Sequence, residues 1–313
     1  MESGPLSGRM AGRVFETFGS GYLGNWQLIR KGGTIVMDNR PIGVFDSGLG
    51  GLTVVRQLVR AMPGEDIVYF GDTGRVPYGT RSLETIEKYA RQDCRFLMGK
   101  DVKLIIAACG TVSSAAPHVL TGRPLPAFGV VESAADAAVA ATKNGRVGVI
   151  GTAATIRSGA FARRIDRTAP GTAVFQEACP LFVPLVENGW ISPDDDVTRL
   201  TARRYLLPLI EKGIDTLILG CTHFPLLTPI LSDIMGPDVT LIDAGQQAAM
   251  ACARRLTASG SLNLTKRTGF CRFYVSDQPE GFSRVAEMFL GCRVDGELDM
   301  VDMDALDGIG SLV

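Results

Sequence analysis

The stretch Leu217-Ile218-Leu219-Gly220-Cys221-Thr222-His223-Phe224-Pro225 constrains this chain more than any other. An apolar run reaches a small residue, and a thiol, a hydroxyl, an imidazole and a proline follow. Short continuous aliphatic runs suit a strand buried on both faces of a parallel sheet. In open α/β sheets, ligands bind beyond the carboxyl ends of the strands. Cys221 therefore stands where a substrate would be met. The same design occurs at Val102-Lys103-Leu104-Ile105-Ile106-Ala107-Ala108-Cys109-Gly110-Thr111. This suggests two related halves, each delivering one thiol.

The flanking segments continue the alternation of strand and helix. Pro41-Ile42-Gly43-Val44-Phe45 reads as a first strand running into Asp46-Ser47-Gly48-Leu49-Gly50-Gly51, after which Leu52, Val55, Leu58 and Val59 recur at helical spacing. A glycine turn at this place presents N–H groups to an anion at the positive end of the helix, or simply turns tightly. Its glycines match neither GxGxxG nor the phosphate loop of nucleotide-binding proteins. Asp46 either caps the turn or faces the site. A strand at 67–70 leads into the polar loop 71–79, where Pro77-Tyr78-Gly79 suits a binding loop or an ordinary surface connection. Helices are expected over 82–98, from about Ser114, and over 132–142, with a short strand at 127–131.

The second half opens at Arg146-Val147-Gly148-Val149-Ile150-Gly151-Thr152, an echo of Ile42-Gly43-Val44-Phe45-Asp46-Ser47, with Thr152 and Thr155 at its turn. The interval from turn to cysteine is similar in both halves, which supports two copies of one βα layout. Glu187 follows the apolar run from Leu181 to Val186; it either approaches a site or, the commoner case, lies in a solvated loop. Ser192-Pro193-Asp194-Asp195-Asp196 reads as the capped start of a helix reaching about Lys212. A last strand at 239–245 and a helix to about Ala258 return the chain to the first half. Beyond it, 259–267 is linker-like, 271–275 reads as an edge strand and 282–290 as a helix, and the acidic tail from Asp295 carries no chemical signature. The division expected is 37–132 plus 243–313 as a first α/β domain, and 133–242 as a second.

Residues 1–36 hold scattered Gly and Arg without sustained periodicity or a secretory core, and read as a disordered extension. A sharper alternative comes from Lys31-Gly32-Gly33, which a purine-rich stretch resembling a bacterial ribosome-binding site can encode. Met37 follows at a short distance, so 1–36 would be translated leader and Met37 the true start.

Composition excludes several function classes. Basic and acidic residues balance at 32 against 33, which leaves no electrostatic footprint for nucleic acid or an anionic membrane. No apolar run reaches the ~18 residues of a membrane helix. Seven cysteines without a CxxC pair, and only two histidines, argue against zinc and for a reducing cytoplasm with free thiols. Cys94, Cys179, Cys252, Cys271 and Cys292 read as buried apolar filler.

The two cysteines at strand ends allow three chemistries. A lone nucleophile needs a base; His223 is close to Cys221 in sequence, yet i and i+2 at a strand end need not meet. A redox pair needs the sulfurs at contact distance. An acid/base pair on opposite walls of a cleft removes a proton from one face of a carbon and returns one to the other. His223, Asp46 and Glu187 are candidates to assist proton movement beside the thiols.

Together the quoted stretches, with Gly71-Asp72-Thr73 and Gly220-Cys221-Thr222-His223-Phe224-Pro225-Leu226-Leu227, resemble the glutamate racemase family of cofactor-independent aspartate/glutamate racemases over about 41–248. The resemblance implies an α/β fold of two similar doubly wound parallel-sheet domains with the active site in the cleft between them. It implies Cys109 and Cys221 as the opposed acid/base pair. Asp46, Ser47, Tyr78, Gly79, Gly110, Thr111, Thr222 and His223 would line the substrate site, with Pro77, Thr152, Thr155 and Glu187 in support. Glutamate would be the substrate and D-glutamate for peptidoglycan the product, with no cofactor, metal, nucleic acid or membrane involved; a homodimer is left open. Aspartate racemisation, a single-cysteine hydrolase or decarboxylase, and a non-catalytic amino-acid-binding protein are the rivals. One departure matters: the family most often has Asn after the first cysteine, where this chain has Gly110. The lost amide contact is worth ~0.5–1.5 kcal/mol, and Ser113 or water is the nearest substitute. Gly110→Asn is therefore expected to change KM more than the nature of the reaction.

Overall fold

The computed structural model describes residues 38–265, 267–278, 282–293 and 298–303. The expected extension or leader at 1–36, and part of the acidic tail, lie outside the described residues. The first half runs β1 (Ile42–Asp46), α1 (Leu52–Ala61), β2 (Ile67–Gly71), α2 (Leu83–Met98), β3 (Leu104–Ala107), α3 (Gly110–Ala115), β4 (Ala127–Gly129) and α4 (Val131–Ala141). The second runs β5 (Arg146–Gly151), α5 (Ala153–Ser158), α6 (Ala160–Thr168), β6 (Ala173–Ala178), α7 (Phe182–Glu187), α8 (Asp196–Glu211), β7 (Thr216–Leu219), α9 (Thr228–Met235) and β8 (Thr240–Asp243). α10 (Ala244–Ser259), β9 (Cys271–Val275), α11 (Phe282–Leu290) and β10 (Leu298–Met300) complete it.

Two parallel sheets result, ordered β10-β9-β2-β1-β3-β4 and β6-β5-β7-β8. Without β9 and β10, the two orders are the same, so β3 and β7 occupy equivalent places. Each pairs with the first strand of its half: Phe45 lies opposite Ala107, and Ile150 opposite Leu219. Every residue of β1, β3 and β7 is buried. This is what two-sided cover demands of aliphatic runs, and each such side chain contributes roughly 1.5–3 kcal/mol. In the first sheet, Val44 and Ile106 face α1 and α10, whereas Phe45 and Ile105 face α2. In the second, Val149 and Ile218 face α4 and α6, and Leu217 and Leu219 face α7 to α9. Both sheets are thus doubly wound.

Several expectations change. The segment 271–275 is an internal strand, because β2 pairs with it on one side and the short β10 on the other. The helix after the first cysteine starts at Gly110 and not near Ser114. Ser114 Oγ donates back to the Gly110 and Thr111 carbonyls (2.7 and 3.2 Å), so the residue that resembles a cap is inside the turn. The strand at 127–131 ends at Gly129, where α4 follows within two residues. α5, α6 and β6 lie in a region whose sequence offers little signal. β6 is a half-buried edge strand carrying Gln176 and Glu177, and α6 buries only Phe161 and Ile165.

The linker-like stretch is tied to the first sheet through Ser261 and Asn263. Lys103 Nζ lies 2.6 Å from Glu65 Oε2, with both side chains buried. It also donates to the Asp38 and Ser261 carbonyls at 2.9 and 3.0 Å, while Glu65 Oε1 accepts from Asn263 N at 2.7 Å. Lys103→Met leaves the Glu65 carboxylate buried without its cation. It is expected to cost about 3–5 kcal/mol in urea denaturation, and the pair Lys103→Met with Glu65→Leu distinctly less.

Candidate active site

The chain leaves β3 through Ala108 and bends at Cys109 directly into α3. The Cys109 thiol is buried and reaches Ser47 Oγ at 3.6 Å, on the turn after β1. Burial pushes this thiol up to about 12; the neighbouring Asp46 charge adds to that, and N–H groups and the Ser47 hydroxyl offset part of it. Asp46 is itself buried. Its Oδ2 accepts the N–H groups of Gly48 and Gly51 at 3.3 and 3.1 Å, and its Oδ1 has no protein partner. The glycine turn therefore spends these N–H groups on the chain's own carboxylate, not on an external anion. Burial raises the Asp46 pKa against the opposing pull of His223 and the turn N–H groups.

On the other side, β7 ends at Leu219, and the chain turns after Gly220 into a short helical turn at Phe224–Leu227. His223 has helical φ/ψ, and the Phe224 N–H closes onto the Cys221 carbonyl at 3.1 Å. This turn, not an extended strand end, brings i and i+2 together. Cys221 Sγ lies 3.8 Å from His223 Nδ1, and His223 Nε2 lies 3.0 Å from Glu187 Oε1. Glu187 is the last residue of α7, so it reaches His223 from a helix end and not from a loop, with its side chain partly open to solvent. Burial alone would depress the His223 imidazole. The hydrogen bonds and charges of Cys221 and Glu187 outweigh it and push the group up to about 10.

The two lobes touch along a seam between these thiols. Thr53 Oγ1 donates to the Thr222 carbonyl at 3.0 Å, and the Thr111 and Thr152 hydroxyls are 3.0 Å apart. Thr152 also caps α5 through the Thr155 N–H at 3.2 Å. Gly79 packs on the Thr152 side chain, where a Cβ would come to 3.0 Å. A Cβ at Gly110 would fall 2.2 Å from the Gly220 carbonyl oxygen. With the lobes in this arrangement no side chain fits at position 110, so Gly110→Asn would not simply restore an amide. Ser113 is no substitute either: its Oγ donates to the Ala107 carbonyl at 2.9 Å and accepts from Val130 N at 3.2 Å.

Tyr78, following Pro77, is buried, and its hydroxyl hydrogen-bonds to Asp72 and, at 3.1 Å, to Asp93. Arg75 bridges the same two acids, at 2.6 and 3.4 Å. Asp93 is a buried partner of Tyr78 and Arg75 that sequence reasoning missed. Its only signal was an acid between Ala90 and Cys94 on the buried face of α2. The remaining cysteines 94, 179, 252 and 271 are buried, as expected of filler, and Cys292 is partly exposed.

A family model described as Asp/Glu/Hydantoin racemase matches residues 42–252. The chain belongs to this racemase family. A curated glutamate racemase from Syntrophus aciditrophicus is 50% identical over 257 residues, covering 82% of this chain and 94% of that protein. The crystal structure of a glutamate racemase from Francisella tularensis in complex with D-glutamate aligns with a TM-score of 0.79 at 41% identity, covering 86% of this chain and all of that one. A glutamate racemase isoform from Bacillus anthracis aligns with a TM-score of 0.80 at 35% identity, covering 85% and 98%. The residues matched by the family model run from β1 into α10 and include both cysteine-bearing strand ends.

Two outcomes follow from this geometry. Gly110→Ala is expected to lower kcat/KM by about 10-fold or more, because the methyl group must push back a main-chain carbonyl rather than a flexible side chain; steady-state kinetics checks this. The folded chain also holds the His223 proton more tightly than an unfolded chain, whose ordinary value is 6.5. The stability this adds is fully present below about pH 6.5 and is lost as pH climbs through about 10. Imidazole 15N NMR, with His118 as the second of two histidines, should show His223 protonated at neutral pH and titrating lower in Glu187→Gln.

Proposed function

We propose that this chain is a glutamate racemase that interconverts L- and D-glutamate without a cofactor, using Cys109 and Cys221 as opposed acid and base. The observation that carries this reading is the equivalence of β3 and β7. Two copies of one topology each end in a thiol, and their ends meet along one seam. Inversion needs a group on each face of the α-carbon, one ionised and one protonated, and two facing lobes provide the pair. The naming of the relatives and the D-glutamate in the Francisella structure support the substrate class.

The two thiols have different company, which assigns roles. Cys109 is held as a thiol by burial and by Asp46, so it is the ready proton donor. Cys221 shares its proton traffic with the His223–Glu187 pair. In one direction Cys221 takes the α-proton while Cys109 delivers its own to the opposite face. In the other direction the roles exchange, and Asp46, with a free buried oxygen, is the group near Cys109 that can share the proton. Ser47, Gly79, the Gly110 N–H, Thr111 and Thr222 line the seam where the substrate carboxylates and ammonium would be held. Thr152, Thr155, Pro77 and Tyr78 support that lining. Residues 37–132 with 243–313 form one domain in this reading and 133–242 the other, closing over the substrate. Supply of D-glutamate for peptidoglycan and residence in a reducing cytoplasm belong to the same reading. Among the described residues no helix is long and apolar enough to cross a membrane.

Incubation with L-glutamate in deuterated water is expected to give α-deuterium incorporation together with decay of optical rotation to zero. Cys109→Ser and Cys221→Ser should each reduce racemisation by about 10²–10⁴-fold. Loss in only one of the two variants would point instead to single-cysteine chemistry. Binding without α-exchange would leave an amino-acid receptor, and faster turnover of aspartate would change the substrate.

A further inference from the structure

The segment after the family match carries a side chain into the site. Phe289, on α11, is fully buried, and its ring meets the His223 ring edge to face, with centroids 5.0 Å apart and planes at 82°. Main chain also limits the imidazole. A Cβ at Gly50 would come within 2.6 Å of His223 Nδ1 and Cε1, so the turn after β1 lies directly against the ring. Cys221 and Glu187 then occupy its two nitrogens. Glu187 is a weak anchor by itself, because its side chain is 45% exposed and competes with water. The apolar contact from Phe289 has no such competition. α11 is seated on α1, and the strand before it, β9, is bound to β2 along its length. Ser276 Oγ donates to Asp72 Oδ1 at 2.7 Å, and Asp277 N to Thr73 Oγ1 at 3.0 Å, so the end of β9 is tied to the loop that bears Tyr78.

We infer that Phe289 is a positioning residue for the Cys221 half of the reaction: it holds the His223 ring in the plane that joins Cys221 to Glu187. This rests on the racemase reading above. The chemical consequence is unequal. Cys221 Sγ lies 3.8 Å from the ring, whereas Cys109 senses it only through the pull of His223 on Asp46, so disturbing the ring slows proton transfer at Cys221 more than at Cys109. Enantiomers have equal free energy, so kcat/KM for racemisation must fall equally in both directions. The asymmetry appears instead in the α-deuterium isotope effect. It rises more for the enantiomer that Cys221 deprotonates, which is the one whose α-exchange disappears in Cys221→Ser.

The test uses Phe289→Leu, which keeps apolar bulk but loses the ring, and Phe289→Ala as the larger change. Thermal melts establish folding, and the leucine variant carries the test if the alanine variant does not fold. The expected result is a fall in kcat/KM of about 10-fold in both directions, an isotope effect raised more for one enantiomer than for the other, and 15N imidazole signals that move for His223 while those of His118 stay. Unchanged His223 signals with unchanged kinetics would overturn the inference. So would a loss of activity that only follows the loss of folded protein. Wild-type protein that fails to racemise glutamate would defeat the functional reading by itself, and the His223 signals of Phe289→Leu would still decide the positioning role.

Discussion

The carbonyl oxygen of Gly220 lies where any side chain at position 110 would have to go. That close approach is the constraint on which the rest of the site depends. It brings the end of β3 against the end of β7 with no side chain between them, and so sets two thiols from different sheets on one seam. Parallel sheets make the approach natural, because all their strand ends of one kind point the same way. Each lobe then delivers its third strand, its turn and its cysteine as a unit. The same economy of side chains recurs at Gly50, where the turn after β1 abuts His223. The lobes are fitted main chain to side chain, which a glycine permits and a Cβ does not.

Symmetry of topology does not extend to electrostatics. Cys109 sits beside the buried carboxylate that ends β1 and the serine hydroxyl that follows it. Cys221 sits beside an imidazole that is backed by a carboxylate from α7 and a phenyl ring from α11. A symmetric reaction is thereby served by two unlike proton stores. The difference is built from elements outside the duplicated core. α7 belongs only to the second half, and α11 only to the C-terminal extension. The extension also adds β9 and β10 to the first sheet and ties down the loop that holds Tyr78.

The strands with the cleanest aliphatic runs were the easiest to read. β1, β3, β5 and β7 are buried on both faces, so their composition is dictated by burial and is visible without a partner. β6 and α6 were not visible, because an edge strand and a surface helix are free to carry Gln176, Glu177 and a polar face. β9 reads as an edge strand, because nothing in its own residues reports that the three-residue β10 pairs beside it. In the site, Cys109, Cys221, Asp46 and His223 were legible as chemistry stranded at the ends of apolar runs. The joining of Cys221 to His223 was not, since it depends on the helical turn after Gly220. Asp93 and Phe289 were invisible as site neighbours, because each lies on a helix whose own pattern speaks only of packing.

The order of residues by itself determined that there would be parallel strands, that two of them would end in thiols, and that the halves would repeat. These are local consequences of burial and spacing, written wherever an aliphatic run meets a small residue. Packing alone fixed which groups come together: that the Gly110 position admits no side chain, that the glycine turn serves Asp46, and that His223 is gripped by Glu187 and Phe289. Those facts join residues far apart in the chain, and their distances are set by how two lobes and a C-terminal extension pack. No stretch of the sequence contains that information alone.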